Sequence, residues 1–484
     1  MNKIKSILIF LILISLFYCR QGEEVLATYN GGQIQRKSLR LFYELNDFPK
    51  NEKTLSIASQ KMILDQMANM QLLELELKDK KPYDRDDVKN ILYFLERGLV
   101  VNLYLKNFYE KKKDSESLDL ADIQFALLPG GDSARLETIR KELSELNNDD
   151  KIEEYMSRVT IEEGRKCVGG HLEPQCINCG GQDQVLQFFM EGIQKNDSNF
   201  YISENGSRSF VYRINKRKNV SSSDLESYLT KKFNQLRDKA IEYTNKNNNE
   251  TEKQNAQYYL EESPRLEEKA KLTAAHFLKG FQSRVIEEEI RRLETEKKLK
   301  LGDDIIKNPQ ILEVPDTVIL NLPDRKYTAA DLNSDFTKIF PGEQKNPIEK
   351  LNFLRAIIIP SFLVADSEDG EKIKKSENFE IFLNYHKQKL LFDVFRNDLG
   401  KEASSITDKE LMEVYEAGKQ FQFSKVDEKN PDKKITIPFE EVKNSILQDL
   451  KNKEIEGKFQ GKINSLRETY KLEILVDKLK EGNI

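Results

Sequence analysis

Three of the four cysteines and one of the three histidines lie within 13 residues of the 484-residue chain. They are Cys167, His171, Cys176 and Cys179, with the spacing C-x3-H-x4-C-x2-C. Thiolates and an imidazole at this spacing are able to wrap a tetrahedral zinc ion, with C-x2-C as the usual corner. The glycine pairs 169–170 and 180–181 allow the sharp turns that such a loop needs. The stretch therefore carries the residue types of a zinc site or a disulfide.

The N-terminus predicts an export signal. A short basic start precedes an apolar run from Ile7 to Tyr18, which is shorter than the roughly 20 residues that span a bilayer. Cys19 follows directly, as in a bacterial lipobox, although Phe17 and Tyr18 are bulkier than usual there. We expect removal of residues 1–18, a lipid on Cys19 that anchors the chain to the inner or outer membrane, and a periplasmic location. The alternatives are an ordinary signal peptide or a short membrane anchor.

Export changes the interpretation of the cysteines, because an oxidising compartment favours disulfides over thiolate ligands. With Cys19 lipidated, three cysteines remain, so one disulfide leaves a free thiol. A bridge from Cys167 to Cys176 or Cys179 would staple a long loop. A Cys176–Cys179 bridge would resemble a redox C-x-x-C, although the thioredoxin-like strand-to-helix context is absent. The two leading interpretations, a disulfide and a zinc site, are both structural, and redox chemistry comes third.

Composition and motifs exclude several other functions. The 77 Lys and Arg are interleaved with 82 Asp and Glu, so no basic field favours nucleic acid. No Walker loop, G-x-S-x-G or H-E-x-x-H motif is present, which argues against nucleotide binding and the common hydrolases. His276 and His386 are isolated in helical sequence and fit ordinary positions on a helix face.

Periodicity predicts an α+β protein that is mainly helical, with one α/β unit of about 100 residues between helical stretches. After the signal we divide the chain into segments 19–117, 118–217, 218–303 and 304–484. The second half restarts with a strand, a turn and a helix near Thr328, as the first half does from Val25. Two helix ends also share their spacing: Leu293, Leu299 and Leu301 match Leu466, Leu472 and Ile474. We interpret this as an internal duplication in which one copy carries the α/β unit. The alternative is two unrelated helical regions.

The stretch V-L-A-T-Y-N-G-G-Q-I-Q-R-K-S-L, from Val25, resembles the opening of the SurA/PrsA family of extracytoplasmic foldases. V-G-G-H-L-E is similar to that family's G-G-D-L-G loop through Gly169, Gly170 and Leu172. The resemblance implies a helical chaperone core with a parvulin-type prolyl isomerase domain inserted at 118–217. Segment 218–303 would then pack back on the N-terminal module 19–117, and 304–484 would be a second module without an insert.

The resemblance does not extend to the isomerase residues. Parvulins place one histidine in the first strand and another in the last, whereas Gln124 and Phe210 stand at those positions here, the latter within one residue. The usual accompanying Cys falls near 162–164, where no Cys is present. Because the histidines shape the pocket that twists the amide, we expect isomerase activity to be weak or lost. Whether the chain is an enzyme therefore stays open.

The resemblance implies an ATP-independent, lipid-anchored periplasmic chaperone for exported or outer-membrane proteins. Its partners would be unfolded or partly folded polypeptides, with no nucleic acid and no nucleotide. It would need no cofactor, and zinc at the Cys/His loop is the single candidate. The alternatives are an active prolyl isomerase and a surface lipoprotein that uses the fold as a binding scaffold.

Overall fold

The computed structural model describes residues 24–45, 56–180, 184–247, 250–299, 301–322, 324–340, 346–402, 406–427 and 430–480. The chain forms two compact units, one from residues 1–103 with 301–484 and the other from 104–300. The fold is α+β and mainly helical, with small antiparallel sheets. No helix in these ranges is both long and apolar enough to cross a membrane. The expected signal segment 1–18 and the expected lipidation site Cys19 lie outside the described residues.

The first 300 residues contain six strands and eleven helices in the described ranges. Up to residue 112 they are β1 (Val25–Tyr29), β2 (Gly32–Gln35), α1 (Arg36–Leu45), α2 (Ile57–Leu77) and α3 (Asp86–Lys112). The α/β unit comprises β3 (Leu118–Pro129), α4 (Ser133–Glu145), α5 (Asp149–Val159), α6 (Glu163–Lys166), β4 (Gln175–Cys176), α7 (Gln184–Gln187), α8 (Met190–Lys195), β5 (Tyr201–Asn205) and β6 (Arg208–Val220). Three helices follow: α9 (Leu225–Asn247), α10 (Glu250–Ala256) and α11 (Ser263–Lys297).

The remaining residues form a second helical stretch with two hairpins and a short final strand. Its elements are α12 (Asp303–Lys307), β7 (Val318–Asn321), β8 (Lys326–Thr328), α13 (Ala329–Ile339), α14 (Pro347–Phe353), α15 (Glu368–Lys374), α16 (Glu377–Lys401), α17 (Asp408–Gly418), β9 (Ser424–Asp427), β10 (Asn430–Thr436), α18 (Phe439–Thr469) and β11 (Glu473–Ile474). Between α14 and α15 the chain winds as two π-helical segments, Leu354–Ile358 and Ser361–Ala365, on either side of Pro360. The regular α-helix that begins at Pro347 therefore ends at Phe353.

The first unit is closed by contacts between the two ends of the chain. Strand β11 pairs antiparallel with β1, which also pairs with β2. Arg36 donates to the carbonyl oxygen of Lys478 at 2.6 Å, and Gln60, fully buried, donates to that of Lys480 at 2.7 Å. These two hydrogen bonds fix the last described residues against the start of α1 and against α2.

The helices of this unit pack across the same division of the sequence. Helix α2 contacts both α16 and α18. Leu72 and Leu73 of α2 are fully buried against Leu391 of α16 and Phe459 and Ile463 of α18. Burying such side chains stabilises by roughly 1.5–3 kcal/mol each. The N-terminal and C-terminal segments thus share one core.

Two local backbone features occur in both halves of the chain. In each half, the backbone N–H of the first helical residue after the hairpin donates to the carbonyl oxygen of the residue just before the hairpin. These hydrogen bonds are Arg36 N to Glu24 O and Ala329 N to Thr317 O, both at 2.9 Å. Helices α11 and α18 each end at a lysine in the left-handed region, Lys298 at φ 55° and Lys471 at φ 52°. Strand β11 follows the end of α18. Among the described residues directly after α11, no strand is present.

A four-stranded antiparallel sheet in the order β4-β3-β6-β5 forms the centre of the α/β unit. The register of β3 and β6 places Phe125 opposite Tyr212 and Leu127 opposite Phe210, with one irregularity between Asp122 and Ile123. The face that carries these aromatic residues packs on α7 and α8, whereas the opposite face packs on α4 and α5. Strand side chains alternate between the faces, so each face has its own core.

The loop that ends at Gly180 is seated on helix α11. Cys176 and Cys179 are buried in one apolar cluster with Phe277 and Phe281 of α11. Gly280 lies directly under this loop, because a Cβ atom there would collide with the carbonyl oxygen of Cys179. The long helices therefore bury their apolar stripe partly against the α/β unit.

This packing divides the chain differently from the expected segments. Segment 218–303, expected to pack back on the N-terminal module, is grouped as far as residue 300 with the α/β unit. The N-terminal module is grouped with residues 301–484 instead. The physical reason is the apolar cluster that joins α9 and α11 to the entry and exit of the α/β unit at Leu118 and Val220.

Glycine at either left-handed helix end should stabilise the protein. A left-handed residue with a Cβ costs roughly 1–2 kcal/mol, so Lys298→Gly and Lys471→Gly should each raise the free energy of unfolding by about 1 kcal/mol. Urea unfolding followed by circular dichroism measures the change. Lys453→Gly, exposed inside α18, is the control and should lose about 0.5–1 kcal/mol. Loss of stability in both test variants would contradict the assigned helix ends.

A methyl group at position 280 should displace the seated loop. Gly280→Ala forces the Cβ into the Cys179 carbonyl, and overpacking of this kind costs about 1–3 kcal/mol. Gly457→Ala in α18 meets open space and should gain about 1 kcal/mol, as glycine-to-alanine changes in helices do. Thermal unfolding of the two variants gives the comparison. Equal gains would mean that the loop does not rest on α11.

Candidate functional site

Gln124 and Phe210, expected at the two histidine positions of a parvulin, lie on opposite faces of the sheet. Phe210 pairs with Leu127, and Gln124 pairs with Arg213, three residues along each strand. Because side chains alternate, an odd separation puts the two positions on different faces. The two side chains therefore do not line one pocket. A side chain of β6 that shares a face with Gln124 would have to come from a position next to Phe210, either Ser209 or Val211. Both of these residues are fully buried.

Gln124 serves the structure of the sheet. It is fully buried, donates from Nε2 to the carbonyl oxygen of Gly169 at 2.7 Å and accepts from Nε of Arg213 at 2.9 Å. Arg213 continues to Asp149 at the start of α5, at 2.8 Å. A buried amide with both ends bonded is satisfied. It has no free polar atom to offer a substrate.

Phe210 belongs to a cluster of aromatic rings that fills its face of the sheet. Its ring centroid lies 5.1 Å from that of Phe188 and 5.8 Å from those of Phe125 and Phe189. Phe189 and Tyr212 pack edge to face at 4.9 Å, and the hydroxyl of Tyr212 accepts from the backbone N–H of Gly192. Such contacts add about 0.5–1.5 kcal/mol per pair to burial. The face is a core, with no group that titrates near neutral pH.

The structure joins Cys176 to Cys179 in a disulfide and leaves Cys167 as a free, buried thiol. The expected bridge from Cys167 to either of them is therefore absent. Cys167 lies in a separate apolar cluster with Leu236 and Tyr259, after which the chain turns at Gly169 and Gly170, both at positive φ. That turn carries the following residues away from Cys167. The bridge closes a short loop rather than a long one.

Neither cysteine chemistry nor zinc is favoured at Cys167. Its Sγ donates to the carbonyl oxygen of Gly164 at 3.2 Å, and burial raises the pKa of the thiol to about 12. A buried thiol that stays protonated is a poor nucleophile. In the ranges that the structure describes, no three His, Cys, Asp or Glu side chains are grouped to hold a metal ion. The Cys/His loop is not arranged as a zinc site.

The disulfide turn fixes the point where the α/β unit begins. Asn178, between the two cysteines, accepts from the backbone N–H of Asp119 at 2.8 Å and donates to the carbonyl oxygen of Ser117 at 3.0 Å. Strand β4, which ends at Cys176, pairs with β3 at Leu120. The short bridge thus holds one asparagine across the entry to β3, which is a structural task.

His171 is the residue of the motif with the most unusual surroundings. It is 6% exposed, and both nitrogens of its ring face carboxylates. Nδ1 lies 3.5 Å from Oδ1 of Asp122 on β3, and Nε2 lies 3.1 Å from Oε1 of Glu153 on α5. A neutral imidazole has one N–H donor, so two carboxylate partners favour the doubly protonated cation.

Helix α9 supplies a lysine to each carboxylate. Lys232 lies 2.6 Å from Asp122, and Lys239, seven residues later on the same side of α9, lies 2.5 Å from Glu153. Burial disfavours the charged forms, but the hydrogen bonds and neighbouring charges outweigh it and hold the pKa of His171 above 6.5. They lower the pKa of Asp122 to about 2 and also lower that of Glu153. The five groups form a partly buried ionic network.

The sequence motif identified His171 but none of its partners. Asp122, Glu153 and the two lysines come from three elements far apart in the chain, so no local spacing brings them together. One signal is the seven-residue spacing of Lys232 and Lys239, which marks one side of a helix. The remaining histidines take no part: His276 is exposed on α11, and burial lowers the pKa of His386 in the other compact unit.

Two solved structures resemble part of the chain. One is a SurA-like chaperone of Campylobacter jejuni, from the pair formed by the virulence factor PEB4 and the periplasmic protein Cj1289. It is 17% identical over 46% of this chain and 96% of its own, with a TM-score of 0.20. The other is the foldase protein PrsA of Streptococcus pneumoniae, 15% identical over 48% of this chain and 92% of its own, with a TM-score of 0.19.

No protein of curated function matches the sequence. One protein-family model matches almost the whole chain, and its description, ":-like", states no fold, substrate or activity. The chain belongs to this family, whose model covers residues 2–484.

Proposed function

We propose that this protein is an ATP-independent chaperone for exported polypeptides in which the parvulin-like unit no longer works as an efficient isomerase. The observation that carries the proposal is the α/β unit at 118–220, which lies between helical segments and has aromatic rings filling one face of its sheet. A helical core with such an insert is what the SurA/PrsA resemblance implies. Because aromatic rings fill this face of the sheet, we assign the α/β unit a structural role.

The joined ends of the chain support a chaperone core. The hairpin β1–β2 and helix α2 share their cores with α16, α18 and β11. The C-terminal stretch, and not segment 218–303, therefore closes the core of the N-terminal hairpin. Holding a client in such a framework requires no nucleotide, because contact is made through apolar surface alone.

The turn just before hairpin β9–β10 carries the most exposed large apolar side chain among the described residues of the first unit. Phe421, just before β9, is 81% exposed, and Val426 is 54% exposed. Met412 and Ile435, on α17 and β10, are 40% and 41% exposed. Val426 pairs with Lys434 and Ile435 with Lys425, so these two apolar side chains lie on opposite faces of the hairpin and both faces carry one. We assign the first contact with unfolded chains to this hairpin.

The proposal includes a location outside the cytoplasm. It rests on the basic and apolar start of the sequence, residues 1–18, and on the position of Cys19. In this proposal Cys19 carries the lipid and the two compact units lie on the periplasmic side of the membrane. Mass spectrometry of the mature chain, purified from membranes, gives the mass of its first residue.

Purified protein should slow the aggregation of an unfolded outer-membrane protein. We expect light scattering to fall in proportion to the amount of protein added, up to equimolar, without ATP. The double variant Phe421→Ser/Val426→Ser should need several times more protein for the same effect, because it removes exposed apolar contact area. Leu272→Ser, 65% exposed on α11, is the control and should behave as the unsubstituted protein. Unchanged scattering with the unsubstituted protein would rule out the chaperone.

Prolyl isomerisation should stay at its uncatalysed rate. The barrier to rotation is roughly 18–20 kcal/mol, and lowering it needs polar groups around the twisted amide. Neither Gln124, bonded at both ends, nor the ring of Phe210 supplies one. The measurement is cis/trans exchange of an X-Pro peptide at micromolar protein, with an active parvulin as the positive control. An exchange rate that rises linearly with protein concentration would show that the protein is an active isomerase.

A further inference from the structure

The two carboxylates at His171 set a condition on its charge. Nε2 and Nδ1 both face oxygen atoms that only accept hydrogen bonds while Asp122 and Glu153 are ionised. A protonated ring satisfies both. A neutral ring satisfies one and turns a nitrogen lone pair towards the other carboxylate, which is repulsive.

We propose that His171 is a proton-operated latch that holds the loop 165–173 of the α/β unit against strand β3 and helix α5. In the closed state the imidazolium bridges Asp122 and Glu153, and each carboxylate also binds a lysine of α9. In the open state the ring is neutral, its contact with Asp122 is lost and the loop loosens from β3. This role does not depend on chaperone activity.

The distances indicate which contact opens first. The contact of His171 with Asp122 is 3.5 Å and that with Glu153 is 3.1 Å, so the weaker one is on β3. After proton loss Asp122 keeps its partner Lys232, while Nε2–H stays with Glu153. The backbone of the loop remains tied to β3 through Phe125 N to Gly170 O at 2.9 Å. The expected change is therefore loosening of the loop, not unfolding of the sheet.

The charged side chains around the loop also affect the protonation of His171. Those at the ring are Asp122 on β3, Glu153 on α5, and Lys232 and Lys239 on α9. Arg165 and Glu173 pair within the loop, where Arg165 also donates to the carbonyl oxygen of His171. Tyr228 of α9 lies near Asp122, and Tyr259 donates to Glu173. Reference pKa values are about 4 for Asp and Glu and about 10 or above for Tyr, Lys and Arg, so histidine is the side chain whose ordinary pKa lies between about 6 and 8.

The sign of the pH dependence follows from the direction of the pKa changes. The pKa of His171 is raised above its ordinary 6.5, so its stabilisation is complete below that pH and is lost as pH rises through the raised value. The pKa of Asp122 is lowered to about 2, so its stabilisation is present above 3.8 and is lost as pH falls towards 2. The latch is closed most firmly between about pH 4 and 6.5 and opens on the alkaline side.

Amide hydrogen exchange of the full chain tests the latch. Between pH 5.5 and 8.5, after correction for intrinsic exchange, protection of 165–173 should fall by roughly tenfold or more, since a charge-assisted hydrogen bond is lost. His171→Gln should show no such fall. His276→Gln, exposed on α11 in the same compact unit, should keep it. A pH-independent wild type, or a loss of the effect in His276→Gln, overturns the proposal.

Two further variants test the charge balance and do not depend on the folding of His171→Gln. Glu153→Gln removes an anion from the ring, so the midpoint of the exchange transition should move to lower pH. Lys239→Met removes a cation from the same carboxylate and should move it to higher pH. Shifts in the same direction, or no shift in either, would show that His171 does not control the loop.

Discussion

The antiparallel pairing of β3 with β6 is the constraint on which the α/β unit depends. The two strands pair from Leu118 with Val220 to Pro129 with Arg208, with one irregularity between Asp122 and Ile123, and this register fixes the face on which each of their side chains lies. A slip of one residue would exchange the two faces. In the observed register, rings occupy one face, whereas Gln124 and Arg213 bond to each other on the opposite face. The separation of Gln124 from Phe210 is a direct result.

Ionic groups join the α/β unit to α9, and their arrangement makes the docking specific. Partly buried charges gain little net stability from pairing, but removing one partner leaves an uncompensated charge that costs about 3–5 kcal/mol. The apolar contacts of the Cys176–Cys179 loop with α11 are less directional and supply the bulk of the burial. The apolar contacts with α11 thus supply most of the docking stability, whereas the charge pairs with α9 fix the position of the α/β unit on the helices.

Local patterns in the sequence were sufficient for the main elements and insufficient for the site. The strand from Leu118 to Pro129 and the helix cap at Thr328 are where alternation and capping predict them, since both depend on nearby residues. Strand β5 was missed because Tyr201–Asn205 is short and largely polar. The partner of Cys179 and the carboxylates at His171 depend on where the chain turns after Gly169 and on contacts across about 20–110 residues. Spacing alone holds no such information.

The use of both sheet faces bears on where a client can bind. A substrate site needs polar groups that are free to bond and a surface that water reaches. In the α/β unit the aromatic face is packed on α7 and α8, and the bonding capacity of Gln124 and His171 is taken up inside the protein. The disulfide turn is buried on α11. In the proposed chaperone, contact with unfolded chains falls to exposed apolar groups outside this sheet, of which Phe421 is the most exposed. The α/β unit then serves as a docked module in which the proposed latch at His171 makes the loop 165–173 respond to pH.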